Sequence, residues 1–254
     1  MRTPEPGGGI WAPTIREHDG WFYVTVTCFD RYRPQVDDRV WPRGFYVKTN
    51  DILMKDSWSE PVFFDQVGFD QDVSSFFSYD ISFIISIQYR EGEWLISVKL
   101  FWDDDGTVYL STTYRKLQRT PVDPPIKDFA IHICTVVLST GRCTSQPVLI
   151  RESLSGVAEG SHIIKRGKYY YLFTAEGGTE SGHCEWVSRS EKSPFGPWEL
   201  CPNNPLWRNR TEDEVQNTGH ADFVVDEGGN CWAVFLGIRP VKSKNGFKVS
   251  VFGE

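Results

Sequence analysis

Short apolar runs recur along this chain, and each run follows a turn that contains glycine. In every case the glycine follows a turn residue and precedes an aromatic residue by three positions. The four instances are DGWFYV at 19–24, DGTVYL at 105–110, RGKYYYL at 166–172 and GGNCWAV at 228–234. Glycine readily adopts the positive φ that tight turns require, so each instance predicts a turn that leads into a β-strand.

The spacing of these glycines predicts a repeated unit. Gly106 and Gly167 are 61 residues apart, Gly167 and Gly229 are 62 apart, but Gly20 and Gly106 are 86 apart. A period near 60 fits a propeller blade of four strands with long connections. No segment has the pattern of an amphipathic helix, and the alternative all-β architecture, a sandwich, does not repeat at this period. The pattern therefore predicts an all-β propeller.

Composition agrees with this fold and narrows the classes of partner. Aromatic residues make up 15% of the 254 residues, and they suit pleated sheets and sugar-binding surfaces alike. The net charge of −7 argues against nucleic acid as a partner. No apolar run is long enough to span a membrane, and the first residues lack the apolar core of a signal peptide, so localisation stays open.

Six cysteines are scattered without the close CxxC spacing of a zinc site or redox pair. Cys134 and Cys143 have a spacing that would allow a bridge across a hairpin.

Six motifs carry a family resemblance. They are GIWAPTI at 9–15, GFDQD at 68–72 with LFWDDDG at 100–106, AEGSHI at 158–163, AEGGT at 175–179 with His183, TGHAD at 218–222 and LGIRP at 236–240. Together, and in this order, they resemble the motifs of glycoside hydrolase family 43 over about Gly8 to Val241. The resemblance implies a five-bladed β-propeller that hydrolyses pentose-containing plant polysaccharides such as xylan, as a β-xylosidase or α-L-arabinofuranosidase.

The resemblance also implies a mechanism and its residues. Hydrolysis with inversion uses two carboxyl groups on opposite faces of the sugar ring, one as acid and one as base. Glu159 corresponds to the general acid, and Asp70 to a third carboxylate that raises the pKa of the acid by charge repulsion. The substrate-binding residues implied by the family are Trp11, Ala12, His220 and Arg239.

Carbohydrate is the only partner that the resemblance implies, and no organic cofactor is expected. The family histidine that corresponds to His220 lies on the propeller axis and binds water or a metal ion, so a calcium ion there is a candidate. The run Asp103, Asp104 and Asp105 suggests a metal cluster at first sight, but an acidic turn before Gly106 explains it better.

The chain departs from the family pattern at both ends. The family base is an aspartate in the first blade, and no counterpart of its segment occurs here, so we expect a single incomplete propeller domain over 1–254 with blades two to five. After Val241, residues 242–254 resemble no part of the family, and we expect the closing strands to be missing. Activity should then be impaired, and the alternative function is a non-catalytic carbohydrate-binding propeller.

The third departure is an insert. Residues 73–99 separate the Asp70 motif from the strand that should follow it, and their removal shortens the long interval to 59 residues. The segment is also unusually apolar for a loop. Because Val73-Ser74 can be encoded by a splice-donor sequence and Lys99 by a codon that ends in AG, we hypothesise that it is a translated intron.

Transcript sequencing tests this hypothesis. We expect the dominant cDNA to join the codon of Asp72 directly to that of Leu100. A dominant transcript that retains the segment would remove the hypothesis.

Overall fold

The computed structural model describes residues 9–29, 43–65, 98–115, 129–178, 182–226, 228–242 and 248–252, and these residues form four antiparallel sheets. Their one helical element is a 3-10 turn at Lys55–Ser57. Within these ranges no helix has the length and apolar character that a bilayer crossing needs.

The strands follow chain order within each sheet. The first sheet consists of β1 (Gly9–His18), β2 (Trp21–Phe29), β3 (Arg43–Thr49) and β4 (Val62–Phe63). The second consists of β5 (Val98–Trp102), β6 (Val108–Arg115), β7 (Phe129–Val137) and β8 (Arg142–Cys143), with β9 (Val148–Glu152) also paired to β7. The third consists of β10 (Ala158–Arg166), β11 (Tyr169–Glu176), β12 (Cys184–Ser190) and β13 (Glu199–Leu200). The fourth consists of β14 (Gln216–Val225), β15 (Cys231–Lys242) and β16 (Lys248–Phe252).

Each predicted glycine turn joins the first and second strands of one sheet. Their φ angles are all positive: Gly20 +74°, Gly106 +82°, Gly167 +60° and Gly229 +79°. A Cβ added to any of the four would meet nothing within 4 Å, so the turn conformation, and not lack of space, requires glycine. The four predicted turn-and-strand repeats are therefore confirmed.

The first strands of the four sheets contact one another: β5 lies against β1 and β10, β10 lies against β14, and Thr14 of β1 bonds to Asp222 of β14. These four strands therefore lie innermost around one axis. Neighbouring sheets pack face to face through apolar layers, such as Tyr23 against Leu100 and Tyr109 against Leu172. Phe173 and Phe223, with ring centroids 4.1 Å apart, join the third sheet to the fourth. Across the axis, the first and fourth sheets meet through polar contacts. The predicted all-β propeller is confirmed, and four of its five implied blades lie in the described residues.

The fourth sheet carries an apolar face that no other described sheet covers. Three of its members alternate along β15, the fourth lies opposite one of them on β14, and their exposed fractions lie between 46% and 73%. They are Val224, Trp232, Val234 and Leu236. Part of the tail after Val241, for which we expected no closing strand, forms β16, which pairs with β15 from Ile238 to Lys242.

The second sheet contains the cysteine pair and the acidic run that the sequence analysis singled out. Cys134 and Cys143 lie on the hairpin strands β7 and β8 with their Sγ atoms 3.2 Å apart. The acidic run forms a turn, in which the Gly106 N–H donates to the Asp103 carbonyl at 3.0 Å. Asp103 also pairs with Lys165 of the third sheet at 2.5 Å, so it is a structural residue between blades.

Most of the predicted insert, residues 73–97, lies outside the described residues, and the intron hypothesis stays a prediction. Its last two residues, Val98 and Lys99, lie in β5 and pair with Thr112 and Ser111.

Candidate active site

Three of the four innermost strands carry a β-bulge at the same level. The pairing register shifts between Trp11 and Thr14 in β1, between Glu159 and His162 in β10, and between Gly219 and Asp222 in β14. Each bulge contains a residue with positive φ: Ala12 at +47°, Gly160 at +57° and His220 at +56°. Bulges re-aim side chains and are frequent beside active sites. Four of the six predicted site residues, Trp11, Ala12, Glu159 and His220, therefore lie in or next to the bulges.

Four side chains occupy equivalent positions on the four innermost strands, directly after the bulge in the three strands that have one. They are Thr14, Lys99, His162 and Asp222, which lie opposite Thr25, Ser111, Phe173 and Val234 of the second strands. The Thr14 hydroxyl donates to Asp222 Oδ2. The Arg16 guanidinium lies 2.6 Å from Asp222 Oδ1 and donates to His162 Nδ1. We call Thr14, Arg16, Lys99, His162 and Asp222 the axial cluster.

Burial sets the protonation of the axial cluster. It lowers the pKa of Lys99 to about 8, although the Asp222 carboxylate acts in the opposite direction. Burial, and then the positive charges of Lys99 and Arg16, hold the pKa of His162 well below its usual range. The same two effects, burial and Lys99, lower the pKa of His220 to about 3. Both histidines are therefore neutral near pH 7.

Glu159 is fully buried on β10, at the bulge. His220 Nδ1 lies 4.0 Å from Glu159 Oε1. The His220 ring packs on Gly160, where an added Cβ would come within 2.7 Å of the ring. This close approach requires glycine at 160, and it brings His220 next to Glu159, the predicted acid.

The third sheet buries two further carboxyl groups. Glu176, in the AEGGT motif, accepts from Arg151 at 2.7 Å and 2.5 Å, and Arg151 lies over the Trp186 ring. Glu185, on β12, is completely buried. Burial raises its pKa to about 8, although backbone N–H groups of Ala221 and His220 act in the opposite direction.

The other predicted site residues have different outcomes. Asp70 lies outside the described residues, so its meeting with Glu159 stays a prediction. Trp11 pairs with Thr27 in the first sheet. Arg239 is exposed on β15 and pairs with Val251. The binding roles of Trp11 and Arg239 also stay predictions.

Sequence reasoning missed Arg16, Lys99 and Glu185. The register of the repeat carries a signal for Lys99, because it lies opposite Ser111 as Thr14 lies opposite Thr25. Arg16 and Glu185 have no comparable signal, since their importance comes from contacts between different sheets.

The axial residues do not fit a calcium ion. Calcium prefers several oxygen ligands, whereas His220 offers nitrogen and lies near the positive charge of Lys99. Among the described residues no three metal-ligating side chains form a group.

Comparisons with known proteins agree on one family. The model of the family described as "Glycosyl hydrolases family 43" matches residues 2–250. The expectation that the tail after Val241 resembles no part of the family is therefore wrong as far as residue 250. A non-reducing end α-L-arabinofuranosidase of Bacteroides ovatus is 34% identical over 93% of this chain and 36% of its own length. A xylosidase/arabinosidase of Butyrivibrio fibrisolvens is 32% identical over 93% of this chain and 39% of its own. The chain thus spans well under half the length of these relatives.

Solved structures give the same result. A xylan β-1,4-xylosidase from Bacillus halodurans C-125 superposes with a TM-score of 0.69 and 25% identity, over 95% of this chain and 43% of that one. A Bacteroides ovatus protein of a xyloglucan utilisation locus superposes with a TM-score of 0.64 and 30% identity, over 94% and 38% of the two chains.

The buried Lys99 predicts how stability depends on pH. Its pKa is lower in the folded chain, about 8, than in the unfolded chain, so between about pH 8 and 10.5 only the unfolded chain binds the proton, and stability rises with pH. Below this window the folded chain carries a buried ammonium group. Replacement of Lys99 by Met should therefore stabilise the protein near pH 7 by about 1 to 3 kcal/mol and remove the rise.

Urea unfolding between pH 7 and 10.5 measures this effect. Lys168→Met, at an exposed lysine paired with Glu191, is the control and should keep the rise. An unchanged pH dependence in Lys99→Met would contradict the assignment.

Proposed function

The chain belongs to glycoside hydrolase family 43, and on this basis we propose that it is the catalytic-domain part of a glycosidase that acts on pentose-containing plant polysaccharides. The observation that carries the proposal is the buried carboxyl of Glu159, which lies at a bulge of an innermost strand beside His220. A carboxyl in a dry setting is suited to hold a proton for a leaving group.

The proposed reaction is a single displacement with inversion. Glu159 gives its proton to the glycosidic oxygen as the bond to the anomeric carbon breaks. Water adds to the opposite face of the sugar and loses a proton to a base. Asp70 is proposed to tune the acid, while Trp11, Ala12, His220 and Arg239 are proposed to contact the sugar.

The pentose class follows from the names of the relatives. The two curated relatives are an α-L-arabinofuranosidase and a xylosidase/arabinosidase, and one solved relative is a xylan β-1,4-xylosidase. We therefore propose xylo- and arabinoxylo-oligosaccharides as substrates of this chain.

A second candidate is a sugar-binding propeller without turnover. Residues 1–254 contain no recognisable counterpart of the family segment that carries the base. A polypeptide of these residues alone should therefore hydrolyse slowly, because loss of one acid–base partner costs about 10²- to 10⁴-fold.

Azide distinguishes the two candidates, because a small anion can attack the sugar without a base. The glycosidase proposal predicts that azide restores cleavage of an aryl xyloside and yields a glycosyl azide of inverted configuration. Xylose binding without any azide-dependent product, followed by NMR, would favour the binding propeller.

Replacement of Glu159 by Gln tests the acid. The amide cannot give a proton to the leaving group, so we expect hydrolysis of a natural xylo-oligosaccharide to fall by at least about 100-fold, measured as released xylose. Aryl xylosides need less protonation and should lose less.

Glu199→Gln is the matched control, since Glu199 is an exposed carboxylate of the same sheet. It should leave the rate unchanged. Equal oligosaccharide turnover by Glu159→Gln and the unmodified chain would remove Glu159 from the mechanism.

A further inference from the structure

Glu185 is a buried carboxyl that the proposed reaction does not use. It lies on β12 in a cross-strand row in which Ala175 pairs with Glu159 on one side and with Glu185 on the other. Its side chain leaves its own sheet and reaches β14 of the fourth sheet, where Oε2 accepts from the Ala221 N–H at 3.2 Å. The Glu185 side chain therefore links the third sheet to the fourth.

The bulge in β14 explains why a carboxyl is needed at this point. The pairing between β14 and β15 passes from Gly219 to Asp222, so His220 and Ala221 are left out of the ladder. Ala221 is completely buried, and a buried N–H group without an acceptor is costly. The Glu185 carboxyl accepts from Ala221, and the His220 N–H also faces it.

The backbone of Glu185 is itself held firmly. Besides its pairing with Ala175, its N–H donates to the Trp207 carbonyl at 3.1 Å, and its carbonyl accepts from the Leu206 N–H at 2.7 Å. A side chain fixed at its base in this way can define the position of the groups it binds.

We propose that Glu185 is a positioning residue that fixes the β14 bulge and thereby holds the His220 ring over Gly160 and beside Glu159. The proposal rests on the proposed function, in which Glu159 is the acid. His220 has a φ of +56°, a conformation that costs energy for a residue with a Cβ. The hydrogen bonds from the bulge to Glu185 offset this cost and keep the ring in place.

The protonation state of Glu185 decides which substitution is conservative. With its pKa raised to about 8, mainly by burial, the group is a neutral acid near pH 7 and accepts through its carbonyl oxygen. Glutamine presents the same oxygen in the same shape, whereas valine leaves the N–H groups of the bulge without an acceptor. Glu185→Gln is therefore the conservative variant and Glu185→Val the disruptive one.

NMR of the full chain tests the proposal without requiring turnover. Glu185→Val should move the ring nitrogen resonances of His220 and the titration midpoint of the Glu159 carboxyl, and Glu185→Gln should leave both near their original values. Ser188→Val is the matched control, because Ser188 is a buried polar residue on the other face of β12. It should move neither.

If the chain cleaves xylobiose, Glu185→Val should lower kcat by about 100-fold and Glu185→Gln by less than about threefold, because small misplacements near the acid are costly. Unmoved His220 and Glu159 signals in Glu185→Val would overturn the positioning role, whatever the activity. Moved signals in a chain that neither cleaves nor binds sugar would keep the positioning role and reject the proposed function.

Hydrogen exchange of the unmodified chain covers the case in which Glu185→Val does not fold. The amides of His220 and Ala221 should exchange at least about 100-fold more slowly than in an unstructured peptide. Exchange of both amides at the unstructured rate would overturn the proposal.

Discussion

The contacts of Asp222 with Thr14 and Arg16 connect the first sheet to the fourth at the axis of the molecule. They join the two sheets across 208 positions of sequence, through a hydroxyl and a guanidinium that both point inward. Four strands that converge on one axis leave a narrow space, and polar side chains fill it here, with Asp222 accepting from both Thr14 and Arg16. His162 completes the set by accepting from Arg16.

Bringing these charged side chains together at the axis has an energetic cost. Lys99, which is buried, and Arg16, which is partly buried, bring two positive charges to a place where Asp222 supplies one carboxylate. Buried charges are costly unless they are paired. Burial, and then the positive charge of Lys99, lowers the pKa of both His162 and His220 and keeps the two rings neutral. A neutral His220 beside Glu159 can take part in hydrogen bonding without competing as an acid.

The bulges in the innermost strands place the side chains of the candidate site. Regular alternation would point every second residue of an innermost strand toward the axis, but each bulge adds residues and re-aims the next side chain. Glu159 and His220 lie at two such bulges, and Gly160 lets them approach closely. Because Glu185 binds the backbone of the β14 bulge, the site depends on contacts between sheets as well as on its own strands.

Local chemistry in the sequence determined the turns, the strands that follow them and the positions of Glu159 and His220 in recognisable motifs. A glycine turn needs only its own φ, so Gly20, Gly106, Gly167 and Gly229 could be interpreted without the rest of the chain. The tertiary structure alone decided that Arg16 meets Asp222 and that Glu185 reaches Ala221. These contacts join residues far apart in sequence, so no local pattern reveals them. Ala12 likewise has a positive φ that its sequence does not predict, because a residue with a Cβ rarely adopts that conformation.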